Sequence, residues 1–269
     1  MNLLELKQIL KENNLTTRKS LDQHFLYDDS ILNREVEYAE VTELDNVLEI
    51  GPGIGTLTKA IVEKAGSTTV IELDQSFRKV LEIIPGVSII IGDALEVDWK
   101  NLSENYEAPH FNKIISNVPY SISSPLIFKI LEYGPALSVL CLQKEFAERM
   151  VAKPKTKNYS RLTVNCSVRA DVELLETISK EEYYPIPKVD SAIVKLIPKK
   201  VELPEKFDSI VRAAFQHKNQ KLKKALMHSH HEIGEKDEVQ KFVDNLGEIG
   251  EIKVFEISPE EFVRISKKY

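Results

Sequence analysis

Only two cysteines occur in this chain, Cys141 and Cys166. With no Cys-x-x-Cys pair, they predict neither a disulfide framework nor a zinc site. Long apolar runs are missing too, and none approaches the roughly 20 residues needed to cross a bilayer. The leading residues read as an amphipathic helix with Leu3, Leu6 and Leu10 on one face and mixed charges elsewhere, not as a signal peptide. A cytoplasmic protein is expected, with no membrane association. An excess of positive charge is also lacking: 36 Lys and Arg against 42 Asp and Glu leave a net charge of −6. Any polyanionic partner must therefore be held by local basic patches rather than by the field of the whole molecule. His228, His230 and His231 cluster in the sequence, but no cysteine or suitably spaced acid accompanies them, so no metal is expected. No internal repeat or low-complexity tract is present.

What the chain does contain is an alternation of β-branched strands and amphipathic helices from Asn46 to Lys144, which implies parallel βα units. Further strand patterns near Val164 to Val172 and Ser191 to Ile197 predict a hairpin-like pair completing one edge of the sheet. A Pro-bracketed linker, Pro198 to Pro204, follows. Beyond it the apolar spacing is helical throughout (Ile210, Ala214; Leu222, Leu226; Phe242, Leu246; Phe262, Ile265), which predicts a small all-helical domain. A chain of 269 residues accommodates both.

Four of the strands end in groups with chemical meaning. The run Val47–Ile50 leads into Gly51-Pro52-Gly53-Ile54-Gly55, and a helical pattern follows. The spacing is not that of the dinucleotide fingerprint, and Pro52 lacks an N–H for a diphosphate, so the turn suits a cofactor without phosphate, such as S-adenosylmethionine. Thr68–Ile71 ends in Glu72-Leu73-Asp74, about twenty residues on, where α/β proteins place the carboxylate that holds ribose hydroxyls. Val87–Ile91 ends in Gly92-Asp93, and a carboxylate there can accept from the amino group of an adenine. Each acid alone reads more commonly as a solvated strand terminus; together the C-terminal ends of these strands would line one crevice. Phe111–Ser116 then ends in Asn117-Val118-Pro119-Tyr120. Asn117 and the Val118 carbonyl can accept both hydrogens of an exocyclic amine, which turns the nitrogen lone pair toward an electrophile. Pro119 stiffens the turn, and Tyr120 offers a face for a base to stack on. An ordinary strand-to-helix turn uses the same residue types.

The chain resembles the ribosomal RNA adenine N6,N6-dimethyltransferases of the small ribosomal subunit. Leu21-Asp22-Gln23-His24-Phe25-Leu26 is similar to the family's N-terminal Gly-Gln-(Asn/His)-Phe-Leu box, and Gln143 to Arg149 to its Gln-Lys-Glu-x-Ala-x-Arg helix start. Tyr159-Ser160-Arg161-Leu162-Thr163-Val164 resembles its Tyr-Gly-Arg-Leu-Ser-Val segment. Tyr184 to Ser191 resembles its Phe-x-Pro-x-Pro-x-Val-x-Ser box. The departures are Asp22 for Gly, Val118 for Leu, Ser160 for Gly and Tyr184 for Phe; of these only Tyr184 is expected to touch the target-base pocket.

The resemblance implies a class I S-adenosylmethionine-dependent methyltransferase with a Rossmann-like, mostly parallel seven-stranded sheet. It implies a catalytic domain over residues 1–199 and a helical RNA-binding domain over 200–269. The implied cofactor contacts are Gln23, His24, Leu26, Glu49, Gly51, Gly53, Glu72, Asp93 and Asn117. Among these His24 hydrogen-bonds the methionyl part, and Glu49 either orients the turn and ligand or is purely structural. The implied substrates are the N6 amines of two adjacent adenosines near the 3′ end of small-subunit ribosomal RNA, extruded from their stack and held between Tyr120 and Tyr184. The partner is a pre-ribosomal small subunit, met by a monomer during ribosome biogenesis. Two basic patches are candidates for phosphates: Lys153, Lys155, Lys157 and Arg161 around a loop, and Lys218, Lys221, Lys223 and Lys224 in a helical stretch. Each alone reads as a solvated face. Methylation of large-subunit RNA by resistance-type relatives, and a non-catalytic assembly factor on the same fold, remain as alternatives. A small-molecule methyltransferase would leave the basic helical domain without a purpose, and the glycine spacing disfavours a nicotinamide dehydrogenase.

Overall fold

The computed structural model describes residues 1–18, 22–105 and 111–269, with the side chains of 103–105 set aside. Leu21 of the N-terminal box lies outside the described residues. The strands are β1 (Phe25–Leu26), β2 (Asn46–Ile50), β3 (Ser67–Glu72), β4 (Val87–Ile91), β5 (Lys113–Asn117), β6 (Leu137–Gln143), β7 (Ala170–Ile178), β8 (Tyr183–Tyr184) and β9 (Ser191–Pro198). Helices α1 (Leu3–Glu12), α2 (Asp29–Tyr38), α3 (Thr56–Val62), α4 (Arg78–Leu81), α5 (Trp99–Asn105), α6 (Ser123–Tyr133) and α7 (Lys144–Met150) accompany them. They start where the sequence supplies caps. Asn2 and Glu5 form a capping box on α1, and the Asp28 carboxylate accepts from two N–H groups at the start of α2.

Seven strands form one sheet in the order β4-β3-β2-β5-β6-β9-β7. The pairs β2–β3, β2–β5, β3–β4 and β5–β6 are parallel, and β6–β9 is antiparallel. Because β2 has β3 on one side and β5 on the other, chain order reverses between β2 and β5. Open α/β sheets bind ligands outside the C-terminal ends of the strands at such a switch point. β1 and β8 form a separate antiparallel pair, with Phe25 opposite Tyr184 and Leu26 opposite Tyr183. No helix among the described residues is long and apolar enough to cross a membrane.

The chain divides into two compact units, Met1–Ala147 with Glu173–Pro198, and Glu148–Val172 with Lys199–Tyr269. Residues 148–172, expected in the catalytic domain, thus join the C-terminal unit. The reason is burial: Tyr159 and Val164 are wholly enclosed with Phe207, Ile210, Leu222 and Phe262 in one core, and the Tyr159 hydroxyl donates to the Ile257 carbonyl at 2.7 Å. Helices α8 (Arg161–Arg169), α9 (Phe207–Phe215), α10 (Leu222–His228), α11 (Lys236–Asp244) and α12 (Pro259–Ser266) build this unit.

Two local expectations are corrected. Residues 164–169, expected as strand, are helix, and the strand begins only at Ala170. Ser160 is extended, and its N–H donates to the Thr163 hydroxyl at 3.1 Å, as at a helix start. Leu162 through Cys166 are all buried, polar Thr163 and Asn165 included, so the apolar-polar alternation that reads as strand belongs here to an enclosed helix. Cys166 accordingly lies on α8. Lys218 and Lys221 precede α10 instead of lying within it.

Candidate active site

In the first unit, the glycine turn after β2 leaves the sheet with Gly51, Gly53 and Gly55 at φ of +68°, +55° and +79°. All three are also short of space, Gly55 against the Ile84 and Leu81 side chains. A Cβ on Gly51 would stand 3.2 Å from Pro119 Cγ, and one on Gly53 would stand 2.7 Å from the Phe25 ring. The turn is therefore packed directly against the Asn-x-Pro-Tyr segment and against β1.

Glu72, at the end of β3, is nearly enclosed. Its two oxygens accept from the Gly53 N–H at 3.0 Å and the Asp74 N–H at 2.8 Å. Burial pushes its carboxyl up, and the backbone N–H groups work against that rise. Asp74 accepts from the Gln23 amide at 3.0 Å. Gln23 in turn accepts from the Arg18 N–H at 2.7 Å, so the N-terminal box is tied to the end of β3. Glu49, beneath the turn, accepts from the Thr58 hydroxyl at 2.6 Å, and burial pushes its carboxyl up to about 8. Asp93 accepts from the Leu95 N–H at 2.8 Å.

Gln23, His24, Leu26, Glu49, Gly51, Gly53, Glu72, Asp93 and the whole of Asn117–Tyr120 line a single crevice. Asn117 ends β5 opposite Cys141 of β6. Its Oδ1 is buried and has no hydrogen-bond partner among the described residues, which is costly unless a ligand supplies a donor. The Val118 N–H donates to the Cys141 carbonyl at 3.0 Å. Tyr120 and Ser191 share a hydrogen bond. The His24 ring stacks toward Tyr120, with centroids 6.1 Å apart and planes at 28°, and His24 Nδ1 lies 2.6 Å from the Pro185 carbonyl.

Tyr184 is placed elsewhere. It is absent from the crevice lining and packs in the cluster that contains Leu6 and Leu10 of α1, with Lys7 Nζ 5.0 Å from its ring centroid. Side chains alternate along a strand, so its neighbour Tyr183 faces the crevice instead and shares a hydrogen bond with the Cys141 thiol at 3.1 Å. The expected sandwich of Tyr120 and Tyr184 is therefore not formed; the ring facing Tyr120 is His24. Asp22, expected to stand clear of the target-base pocket, lines the same crevice. Asp22, at φ +49°, accepts from the Ser121 N–H at 3.0 Å. Only its substitution for glycine marked it in the sequence. Ser191 was read there as part of a box, with no hint that it reaches Tyr120.

All eight basic candidates lie in the second unit. There the loop and the segment before α10 are joined: Lys218 Nζ donates to the Lys157 carbonyl at 3.0 Å, the Lys155 N–H to Phe255, and the Phe255 N–H back to Lys218. Lys221 and Lys223 both pair with Glu251. Lys153 and Lys224 belong to the same two segments, and Arg161 opens α8.

Residues 14–269 match the family model described as ribosomal RNA adenine dimethylase. A protein named "Probable ribosomal RNA small subunit methyltransferase A" from Methanothermobacter thermautotrophicus is 41% identical over 98% of this chain and 94% of its own. One of the same name from Thermococcus onnurineus is 43% identical over 96% of this chain and 94% of its own. Among solved structures, a dimethyladenosine transferase from Plasmodium falciparum superposes with a TM-score of 0.75 at 28% identity, covering 91% of this chain and 98% of that one. The 23S rRNA methyltransferase ErmE gives 0.63 at 27% identity over the same shares. Its fold is that of the S-adenosylmethionine-dependent methyltransferases, and the chain belongs to the ribosomal RNA adenine dimethylase family.

Proposed function

We propose that this rRNA adenine dimethyltransferase acts on two adjacent adenosines near the 3′ end of small-subunit ribosomal RNA, within a maturing small subunit, as a cytoplasmic monomer. The observation that carries the reading is the orphaned, buried Asn117 Oδ1 at the rim of a crevice that also contains Glu72. An acceptor with no protein donor fits an exocyclic amine, which brings N–H groups of its own. The donor set also fits S-adenosylmethionine: Glu72 would take the ribose hydroxyls, Asp93 the adenine amino group, and the backbone of Gly51 and Gly53 the methionyl side, with Gln23, His24 and Leu26 above. When bound, that cofactor supplies an electrophilic methyl group on a sulfonium.

The chain's own residues do the rest by positioning. Asn117 Oδ1 and the Val118 carbonyl accept the hydrogens of N6 and direct its lone pair. Pro119, with φ −56°, holds that turn, and Tyr120 stacks on the base. Once N6 is alkylated it is a strong acid, so no buried base is needed, and orientation and charge matching carry the rate. The basic segments of the second unit would hold phosphates, which position RNA without reading its bases.

The deciding experiment incubates the protein with unmethylated small and large ribosomal subunits and labelled S-adenosylmethionine, then maps dimethyladenosine. Modification of small subunits at two neighbouring adenosines is expected. Modification of large-subunit RNA would give the resistance-type reading instead, and no modification of either would leave an assembly factor.

A further inference from the structure

The loop that follows Asp93 is held from behind the crevice by a lysine that no motif contains. Asp93 and Ala94 line the crevice, and Lys129, on α6 in the first unit, does not. Its half-buried ammonium donates to the Leu95 carbonyl at 2.8 Å and to the Val97 carbonyl at 2.6 Å. The same Nζ lies 4.8 Å from the centroid of the Trp99 ring. Trp99 Nε1–H in turn donates to the Ala94 carbonyl at 3.1 Å. The carbonyls of Ala94, Leu95 and Val97 thus all find their donors on side chains of α5 and α6.

Those bonds close around Asp93. Its carbonyl accepts from the Glu96 and Val97 N–H groups at 3.0 and 2.9 Å, and its carboxylate accepts from the Leu95 N–H at 2.8 Å. Leu95 and Val97 therefore each hold Asp93 through their N–H and Lys129 through their carbonyl. The loop also packs back on the end of β4, where a Cβ on Gly92 would stand 3.3 Å from Val97 Cγ2. An ammonium has three donors and no acceptor, so one group gathers both carbonyls. Without it, two carbonyl dipoles would turn their negative ends to one point, and the loop would open to separate them.

We infer that Lys129 is a positioning residue for cofactor recognition: by drawing the Leu95 and Val97 carbonyls together it sets the loop that aims the Asp93 carboxylate at the adenine amino group. A recognition group keeps its aim only where a second set of fixed side chains supports it. The inference rests on the role proposed above for Asp93. Its test compares wild type, Lys129→Arg and Lys129→Met by calorimetry with two ligands. One is S-adenosylhomocysteine; the other is S-inosylhomocysteine, in which a carbonyl replaces the amino group. Melting temperatures are measured alongside.

Wild type should bind the adenine ligand roughly 10- to 100-fold more tightly, the range for a hydrogen bond to a charged group. Lys129→Met should narrow that preference to below about fivefold, as a misdirected hydrogen bond does. The loss should fall on S-adenosylhomocysteine and not on S-inosylhomocysteine. Lys129→Arg keeps the charge and the donors and should keep most of the preference. Lys129→Gln, too short to gather both carbonyls, carries the same comparison if the Met variant does not fold, with an intermediate preference expected. An unchanged preference in the Met or Gln variant overturns the inference and leaves the cofactor reading intact. Equal losses for both ligands, with a lower melting temperature, would make Lys129 a general support of the fold and overturn it too. Wild type with no preference for the amino group sinks the role of Asp93 first and this inference with it.

Discussion

The hydroxyls of Tyr120 and Ser191 lie 2.7 Å apart in a hydrogen bond that spans 71 residues of sequence. Burial pushes the Tyr120 phenol up to about 12, and the Ser191 bond only partly offsets it. Tyr120 is thus a neutral, anchored ring. Tyr120→Ala should lower single-turnover methylation by the roughly 1 to 3 kcal/mol that base stacking contributes. Tyr120→Phe keeps the face but frees it, and should lose only about 1 kcal/mol. Ser191→Ala should match Tyr120→Phe, and the double variant Tyr120→Phe/Ser191→Ala should be no worse than either. Additive losses would show that the two hydroxyls act separately.

Glu72 has structural work as well as ligand work, because it satisfies the Gly53 and Asp74 N–H groups. Glu72→Ala should weaken S-adenosylmethionine binding by about 1.5 to 3 kcal/mol, the range for hydrogen bonds to a charged group. It should also lower the melting temperature, since two N–H groups lose their acceptor. Glu72→Gln keeps an acceptor oxygen and should recover most of the melting temperature but less of the affinity. Calorimetry and thermal melts on both variants separate the two roles.

Glu49 should make stability fall as pH rises. Its carboxyl titrates near 4.5 when free and about 8 when buried. Below 4.5 both states are protonated and nothing is lost. Between 4.5 and 8 the unfolded chain releases a proton that the folded one keeps, so stability drops by up to about 1.4 kcal/mol per pH unit. Other carboxylates, Asp45 and Asp74 among them, are shifted downward and add stability that is lost only in acid. The difference between Glu49→Gln and wild type isolates the one group: in denaturant titrations the variant's relative stability should increase from pH 5 to pH 8. A constant difference would show that Glu49 is ionised in the folded protein.

Glu251 restrains two of the candidate RNA contacts by pairing with Lys221 and Lys223. Replacing Lys221, Lys223 and Lys224 by Gln should weaken small-subunit binding and flatten its salt dependence by close to one unit of slope per lost phosphate contact. Glu251→Gln should do the opposite, binding more tightly at low salt with a steeper slope. Cofactor affinity should not change in either. Normal binding by the triple variant across a salt titration would exclude these lysines as the RNA platform.

What the sequence by itself determined is the set of groups at the strand ends. Gly51, Glu72, Asp93 and Asn117 each close an apolar run, so a local pattern marks both the strand and the chemistry at its tip. Parallel pairing then brings the tips together with no further information. Tertiary structure alone decided which side chains support them. Nothing near Ser191 in the chain shows that register carries it to Tyr120. Tyr183 and Tyr184 are adjacent and chemically equivalent; the pairing of β1 with β8 chooses which one meets the crevice. Residues 148–172 likewise follow the burial of Tyr159 and Val164 into the second unit rather than their place in the chain. These outcomes depend on helix rotation, strand register and the competition of two cores for the same apolar side chains. None of these leaves a periodic trace in sequence.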